Sequence, residues 1–146
     1  MIHFANAFLK DIFRKGKDYP WEKPERCPCC SHWKVWGHGF VPAFFQGYDT
    51  PVFLKRYRCP ACGVVIRMRP ASHFSRFQSS RHSIRRALLY RINHGRWRSG
   101  SKKSRQRYWL RNLTRNAIFV LGINSPISKA FDLLIGLGKT PASCTI

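Results

Sequence analysis

Cys27-Pro28-Cys29-Cys30 and Cys59-Pro60-Ala61-Cys62-Gly63 are two C-x2-C knuckles separated by 28 residues. A knuckle of this kind turns two thiolates toward one point, and two knuckles supply the four sulfurs of a closed tetrahedral site. The spacing therefore predicts Cys27, Cys30, Cys59 and Cys62 as ligands of one structural Zn2+. Cys29 lies inside the first knuckle and is either an alternative ligand to Cys30 or a spare thiol. The residue after a knuckle often needs an unusual backbone conformation, which Gly63 tolerates and Ser31 does not obviously suit. Four protein ligands leave no open position for water, which argues against catalytic zinc. His32 and His38 could substitute as ligands, but more often such histidines lie outside the coordination sphere. Disulfides are the competing use of these cysteines. The N-terminal stretch lacks the basic region and cleavage site of a secretory signal, and Asp11 follows closely, so a cytoplasmic or otherwise intracellular, reducing compartment is expected.

Outward from the knuckles, the chain divides by pattern. Phe4, Phe8 and Ile12, flanked by Leu9 and Phe13, recur at helical spacing and predict an amphipathic helix over 3–15; with a proline-punctuated linker this makes an N-terminal segment, 1–26. Between the knuckles, apolar runs at Val35-Trp36, Phe40-Val41 and Pro51 to Tyr57 alternate with glycine turns. After Gly63, Val64, Ile66 and Met68 alternate with Val65, Arg67 and Arg69, the pattern of a half-buried strand. Residues 27–70 thus predict a small antiparallel zinc ribbon. Helical patterning follows over 71–138: a helix near 80–94 with Ile84, Leu88 and Ile92, a second near 103–121 with Leu110, Leu113, Ala117 and Val120 or Leu121, and a third from Ser125-Pro126 to Gly136 or Gly138. Ser125 is the expected cap and Pro126 the first helical residue. A loose tail is expected over 139–146. The fold class is α+β.

Charge then narrows the partners. Lys and Arg number 27 against 6 Asp and Glu, a formal net charge of +21 in 146 residues. From Lys55 to Arg115 there are 18 Lys or Arg and no acid. A solvated face mixes both signs, so this tract points to a polyanion, nucleic acid or an anionic membrane surface. The longest apolar run, Ala117 to Ile123, is too short to span a bilayer, and no membrane partner is expected. The predicted contacts are Arg56, Arg58, Arg67, Arg69, Arg81, Arg85, Arg86, Arg91, Arg96, Arg98, Lys102, Lys103, Arg105, Gln106, Arg107, Arg111 and Arg115. Two helices joined by a short glycine-containing turn, the second opening in Lys, Arg, Gln and Ser, have the layout of a helix-turn-helix reader. Such a reader places its second helix in the major groove of duplex DNA. Arg105, Gln106 and Arg107 are its expected groove-facing residues, with Leu110 and Leu113 packed inward.

The ribbon residues Cys27 to Cys30, Trp36-Gly37-His38-Gly39-Phe40 and Arg56 to Gly63, followed by helices ending in Arg107-Tyr108-Trp109-Leu110-Arg111, resemble the zinc-ribbon plus helix-turn-helix region of insertion-sequence transposases and their small DNA-binding regulators. The resemblance covers roughly 27–115 and implies DNA binding at a mobile element, with zinc as scaffold. A carboxylate-based nuclease needs three acids converging on metal ions, yet five of the six acids precede residue 50, and no P-loop or hydrolase pattern is present. The expectation is a non-enzymatic nucleic-acid-binding protein, duplex DNA favoured over RNA, with a protein partner docking through 126–136 as a further role for that helix. The alternatives are a structural RNA-binding subunit of a ribonucleoprotein and an enzyme completed by a partner.

Overall fold

The computed structural model describes residues 1–144, and the chain forms two compact units, Met1–Ser80 and Arg81–Ile146. The first is built on a four-stranded mixed sheet and the second on helices, so the class is α+β.

In the first unit, β1 (Ile2–Ala5), β2 (Trp36–Ala43), β3 (Val52–Arg58) and β4 (Val65–Pro70) lie in the order β1-β4-β3-β2. β3 runs antiparallel to both neighbours. β1 runs parallel to β4, with Ile2 opposite Arg67 and Ala5 opposite Pro70. The sheet is therefore not purely antiparallel, and the helix expected over 3–15 is only its second half, α1 (Leu9–Lys15), continued by a 3-10 turn at Gly16–Asp18. The apolar spacing of Phe4 and Phe8 misleads because those rings do not face a core: they are 41% and 76% exposed. Residues 2–5 instead satisfy their backbone groups on the open edge of β4, a partner that no local pattern reveals.

Two apolar clusters hold the sheet. Val35, Tyr57, Ile66 and Met68 pack with Cys27 and Cys59 in one cluster. Leu9, Ile12, Phe45, Val52 and Leu54 form the other, and Trp21 packs against both. Ile66 and Met68 are buried and Arg67 is exposed, as their alternation predicts. The expected boundary after Pro70 shifts to Ser80, for a reason centred on Arg69. Its guanidinium donates from Nε to Phe74 O (3.0 Å) and from Nη2 to Phe77 O (2.5 Å), and lies 5.0 Å from the Phe45 ring centroid. Ser79 Oγ donates to Gln46 Oε1 (2.5 Å), and the Gln46 amide donates to Gln78 O (2.9 Å). Residues 71–80 thus wrap the sheet rather than open the helical unit.

The second unit contains α2 (Arg81–His94), α3 (Lys103–Leu121) and α4 (Ile127–Gly136), within a residue or two of the predicted helices. α3 packs on both α2 and α4. Ser125 and Pro126 sit one step from their expected roles: Pro126 occupies the cap position, and Ser125 Oγ turns back to Leu121 O (2.9 Å). The inward face of α3 also differs from the apolar stripe. Gln106, Trp109, Asn112, Leu113, Asn116 and Ala117 are buried, whereas Leu110, Val120 and Leu121 are only half-buried. Three carboxamides are tolerated there because each finds backbone partners. Gln106 accepts the Arg98 amide (3.1 Å) and donates to Arg98 O (2.7 Å) and Ser101 O (2.9 Å), clamping the α2–α3 connection. Asn116 donates to Pro141 O and Ser143 O (both 2.9 Å), and Asn112 to Ala142 O (3.4 Å). The tail is accordingly not loose up to Cys144: Pro141 and Ala142 are buried, and Arg115 donates to Cys144 O. The last two positions of the expected loose tail lie outside the described residues.

Each Gln106 bond contributes about 1 kcal/mol net, so Gln106→Ala should cost about 2–4 kcal/mol in urea unfolding. Arg107→Ala, at an exposed neighbour, should change stability by less than about 0.5 kcal/mol.

Candidate metal centre and basic surface

The two knuckles sit at one end of the sheet because of the strand order. The first precedes β2 and the second joins β3 to β4, so both lie beside the paired ends Trp36, Arg58 and Val65. Each knuckle closes with the same pair of backbone bonds. Ser31 N donates to Cys27 O (2.8 Å) and Gly63 N to Cys59 O (3.0 Å); in return, Cys27 N donates to His32 O (2.9 Å) and Cys59 N to Val64 O (3.0 Å). This turn places its fifth residue in the left-handed region, φ 57° at Ser31 and 71° at Gly63. Ser31 therefore adopts the conformation that its side chain disfavours, and the two knuckles are equivalent in backbone.

The sulfurs of Cys27, Cys30, Cys59 and Cys62 lie within 4.8 Å of one another, with Cys27 and Cys62 at 3.7 Å and Cys30 and Cys59 at 3.6 Å. A tetrahedral ion with metal–sulfur bonds of roughly 2.3 Å separates its sulfurs by about 3.8 Å. The four residues thus fit one metal ion with little rearrangement. Cys30, and not Cys29, completes the set; Cys29 is exposed, and its amide donates to Cys27 Sγ (3.4 Å). His32 and His38 do not join it among the described residues.

Cys27 and Cys30 are shifted in opposite directions. Burial works to raise the Cys27 pKa but is outweighed by hydrogen bonds from the Cys30 and Cys29 amides and the Cys62 and Cys30 thiols, which bring it down to about 7. At Cys30 the strongest influence, a hydrogen bond from the His32 amide, lowers the pKa. Burial and the thiols of Cys62, Cys59 and Cys27 together override it and push the group up to about 12. A divalent cation among the four sulfurs would favour the thiolate form of its ligands.

The predicted nucleic-acid contacts separate into three groups. Two are corrected by burial: Arg69 (7% exposed) is consumed by the carbonyls of Phe74 and Phe77, and Gln106 (1%) by the connection it clamps. Burial, and then the charge of Arg67, lower the Arg69 pKa. Others have internal partners: Arg85 grips both oxygens of Asp132 (2.8 and 2.7 Å), Arg91 donates to Gly95 O and lies 4.4 Å from the Trp97 centroid, and Arg115 holds Cys144 O. Arg81 is half-buried, and desolvation lowers its pKa. The third group remains open to solvent in whole or part: Arg56, Arg58 and Arg67 on the sheet, and Arg86, Arg96, Arg98, Lys102, Lys103, Arg105, Arg107 and Arg111 on the helical unit, of which Arg105 also has a partner within the chain and Arg107 and Arg111 also lie over the Trp97 and Tyr108 rings (6.0 and 5.9 Å). α4 buries Ala130, Phe131 and Leu134 within its own unit and leaves Leu133 exposed, as is Leu137 just after it. No helix among the described residues is long and apolar enough to cross a membrane.

Cys30→Ser should abolish stoichiometric metal binding in elemental analysis, while Cys29→Ser retains it. Ser31→Gly relieves a left-handed serine and should raise stability of the metal-loaded protein by about 1 kcal/mol, read from the denaturant midpoint.

Compared with known proteins, the chain matches no family model, no curated protein and no solved structure.

Proposed function

We infer that the chain is a non-enzymatic nucleic-acid-binding protein, a DNA-binding accessory or regulator of a mobile element, with zinc as the scaffold of its first unit. The observation that carries this reading is the acid-free run from Lys55 to Arg115, whose 18 basic residues still leave guanidinium and ammonium groups exposed on both units after internal partners are counted. Such a surface is disfavoured by self-repulsion and is stabilised by a polyanion that releases its counterions on binding. Duplex DNA is the favoured partner, engaged at the helical unit by Lys102, Lys103, Arg105, Arg107 and Arg111 around the start of α3. Gln106 is excluded from that set by its burial, so any base reading there falls to the arginines.

Soft thiolate donors and a closed four-sulfur set suit zinc in a structural role, contributing on the order of 10 kcal/mol of apparent binding energy to folding. The sole acid after Asp49, Asp132, is held by Arg85, which accords with a role in binding rather than in metal-ion catalysis.

If six to ten phosphates are contacted, affinity for duplex DNA should fall by about 10³ to 10⁵ between roughly 50 and 200 mM salt. Fluorescence anisotropy with duplex DNA and structured RNA of equal length measures this. An affinity indifferent to salt overturns the reading, and tighter RNA binding transfers it to a ribonucleoprotein.

A further inference from the structure

Trp36 stands opposite Arg58 in the β2–β3 ladder, and Arg56 stands opposite Arg67 in the β3–β4 ladder. Directly paired residues share a face of a sheet, as do residues two apart along one strand. Trp36, Arg56, Arg58 and Arg67 therefore crowd one face at the metal-bearing end. No ion pair among the described residues joins any of these three guanidiniums to a carboxylate. Like charges directly opposite each other destabilise a sheet. Here the repulsion stands uncompensated, and the buried Nε of Arg56 has no hydrogen-bond acceptor.

The local backbone keeps this cluster accessible. The register of β2 slips between Gly37 and Phe40, and Gly39, at φ 69°, lies beside Arg56, where a Cβ would meet Nη2 at an ordinary contact distance of 3.8 Å. Glycine there meets the backbone requirement and puts no side chain over the guanidinium. Trp36 is 56% exposed at the same edge. Three guanidiniums and an exposed indole on one face offer the two chemistries that one nucleotide needs: cations for its phosphodiester and an aromatic ring for its base. An indole can stack only on a base whose face is free, and paired bases within a duplex offer only their edges.

We propose that this face binds an unpaired nucleotide of a nucleic-acid strand, with its phosphodiester held by Arg56, Arg58 and Arg67 and its base stacked on Trp36. The site rests on the nucleic-acid reading above and narrows it, assigning unpaired strand to the first unit and leaving duplex contacts to the helical unit.

The test compares the full-length, zinc-loaded chain with its W36A, W36F and R67Q variants, each first checked for unchanged zinc content. Anisotropy is measured at about 50 mM salt on a labelled 16-nucleotide single strand and on the duplex of the same sequence. W36A should weaken single-strand binding by about 5- to 150-fold and leave duplex binding within about twofold, and W36F should restore most of the loss. R67Q should weaken single-strand binding and reduce its salt slope by about one, without lowering the melting temperature, because it removes a repulsive pair. If W36A loses zinc, R67Q alone decides, since it leaves the indole in place. Single-strand binding that W36A and R67Q leave unchanged, or an equal W36A loss on single strand and duplex, overturns the site. A wild-type chain that binds duplex alone overturns the site but keeps the general reading; one that binds neither overturns both. Displacement of the single strand by polyglutamate at equal charge, abolished by W36A, would assign the face to an acidic protein instead.

Discussion

The first unit depends on bringing two chain segments, 28 residues apart, to a common point where four sulfurs lie within 4.8 Å. That convergence ties the entry of β2 to the β3–β4 turn, and so fixes which ends of three strands meet. A small sheet held by two small apolar clusters has little burial with which to offset chain entropy. A metal ion held by the four sulfurs would supply what burial does not, and the backbone prepares for it: each knuckle's two hydrogen bonds hold a turn that, at Ser31, runs against side-chain preference.

The helical unit solves a different problem with different means. Its central helix buries three carboxamides beside Trp109 and Leu113, and each is spent on irregular backbone that would otherwise be unsatisfied. Gln106 anchors the turn before α3, while Asn112 and Asn116 anchor the chain after α4. Buried amides bonded to specific backbone groups favour one arrangement over competing ones, because any shift of the tail or turn strands polar groups. The order of this unit thus rests on side-chain to backbone bonds as much as on apolar packing.

Much of this was legible in the sequence, and what was not shares a cause. The C-x2-C spacing identified the four clustered cysteines, and the 3.6-residue periodicity located α2, α3 and α4, because both signals are local. The alternation of Ile66, Arg67 and Met68 likewise placed β4. Missed features depend on partners distant in the chain. β1 looked helical because Phe4 and Phe8 are four apart, whereas its conformation is decided by the edge of β4 more than sixty residues later. Arg69 and Gln106 looked like surface cations and amides because nothing in their neighbourhood announces a cage of carbonyls. The Arg56–Arg67 juxtaposition is a matter of register, which composition does not encode. Cys29 and Cys30 could be separated only by which sulfur the turn directs inward.

The wrap around Arg69 also determines where the chain can be divided. Ending a fragment at Pro70, where the strand stops, would remove the carbonyls of Phe74 and Phe77 and leave a guanidinium in an apolar setting against Phe45 without acceptors. A buried cation stripped of its partners costs several kcal/mol, more than a small sheet can spare. The smallest autonomous piece that carries the four-cysteine cluster therefore ends no earlier than Ser79, whose hydroxyl closes the wrap on Gln46. Residues that carry no motif are, in this sense, as much a part of the first unit as the knuckles.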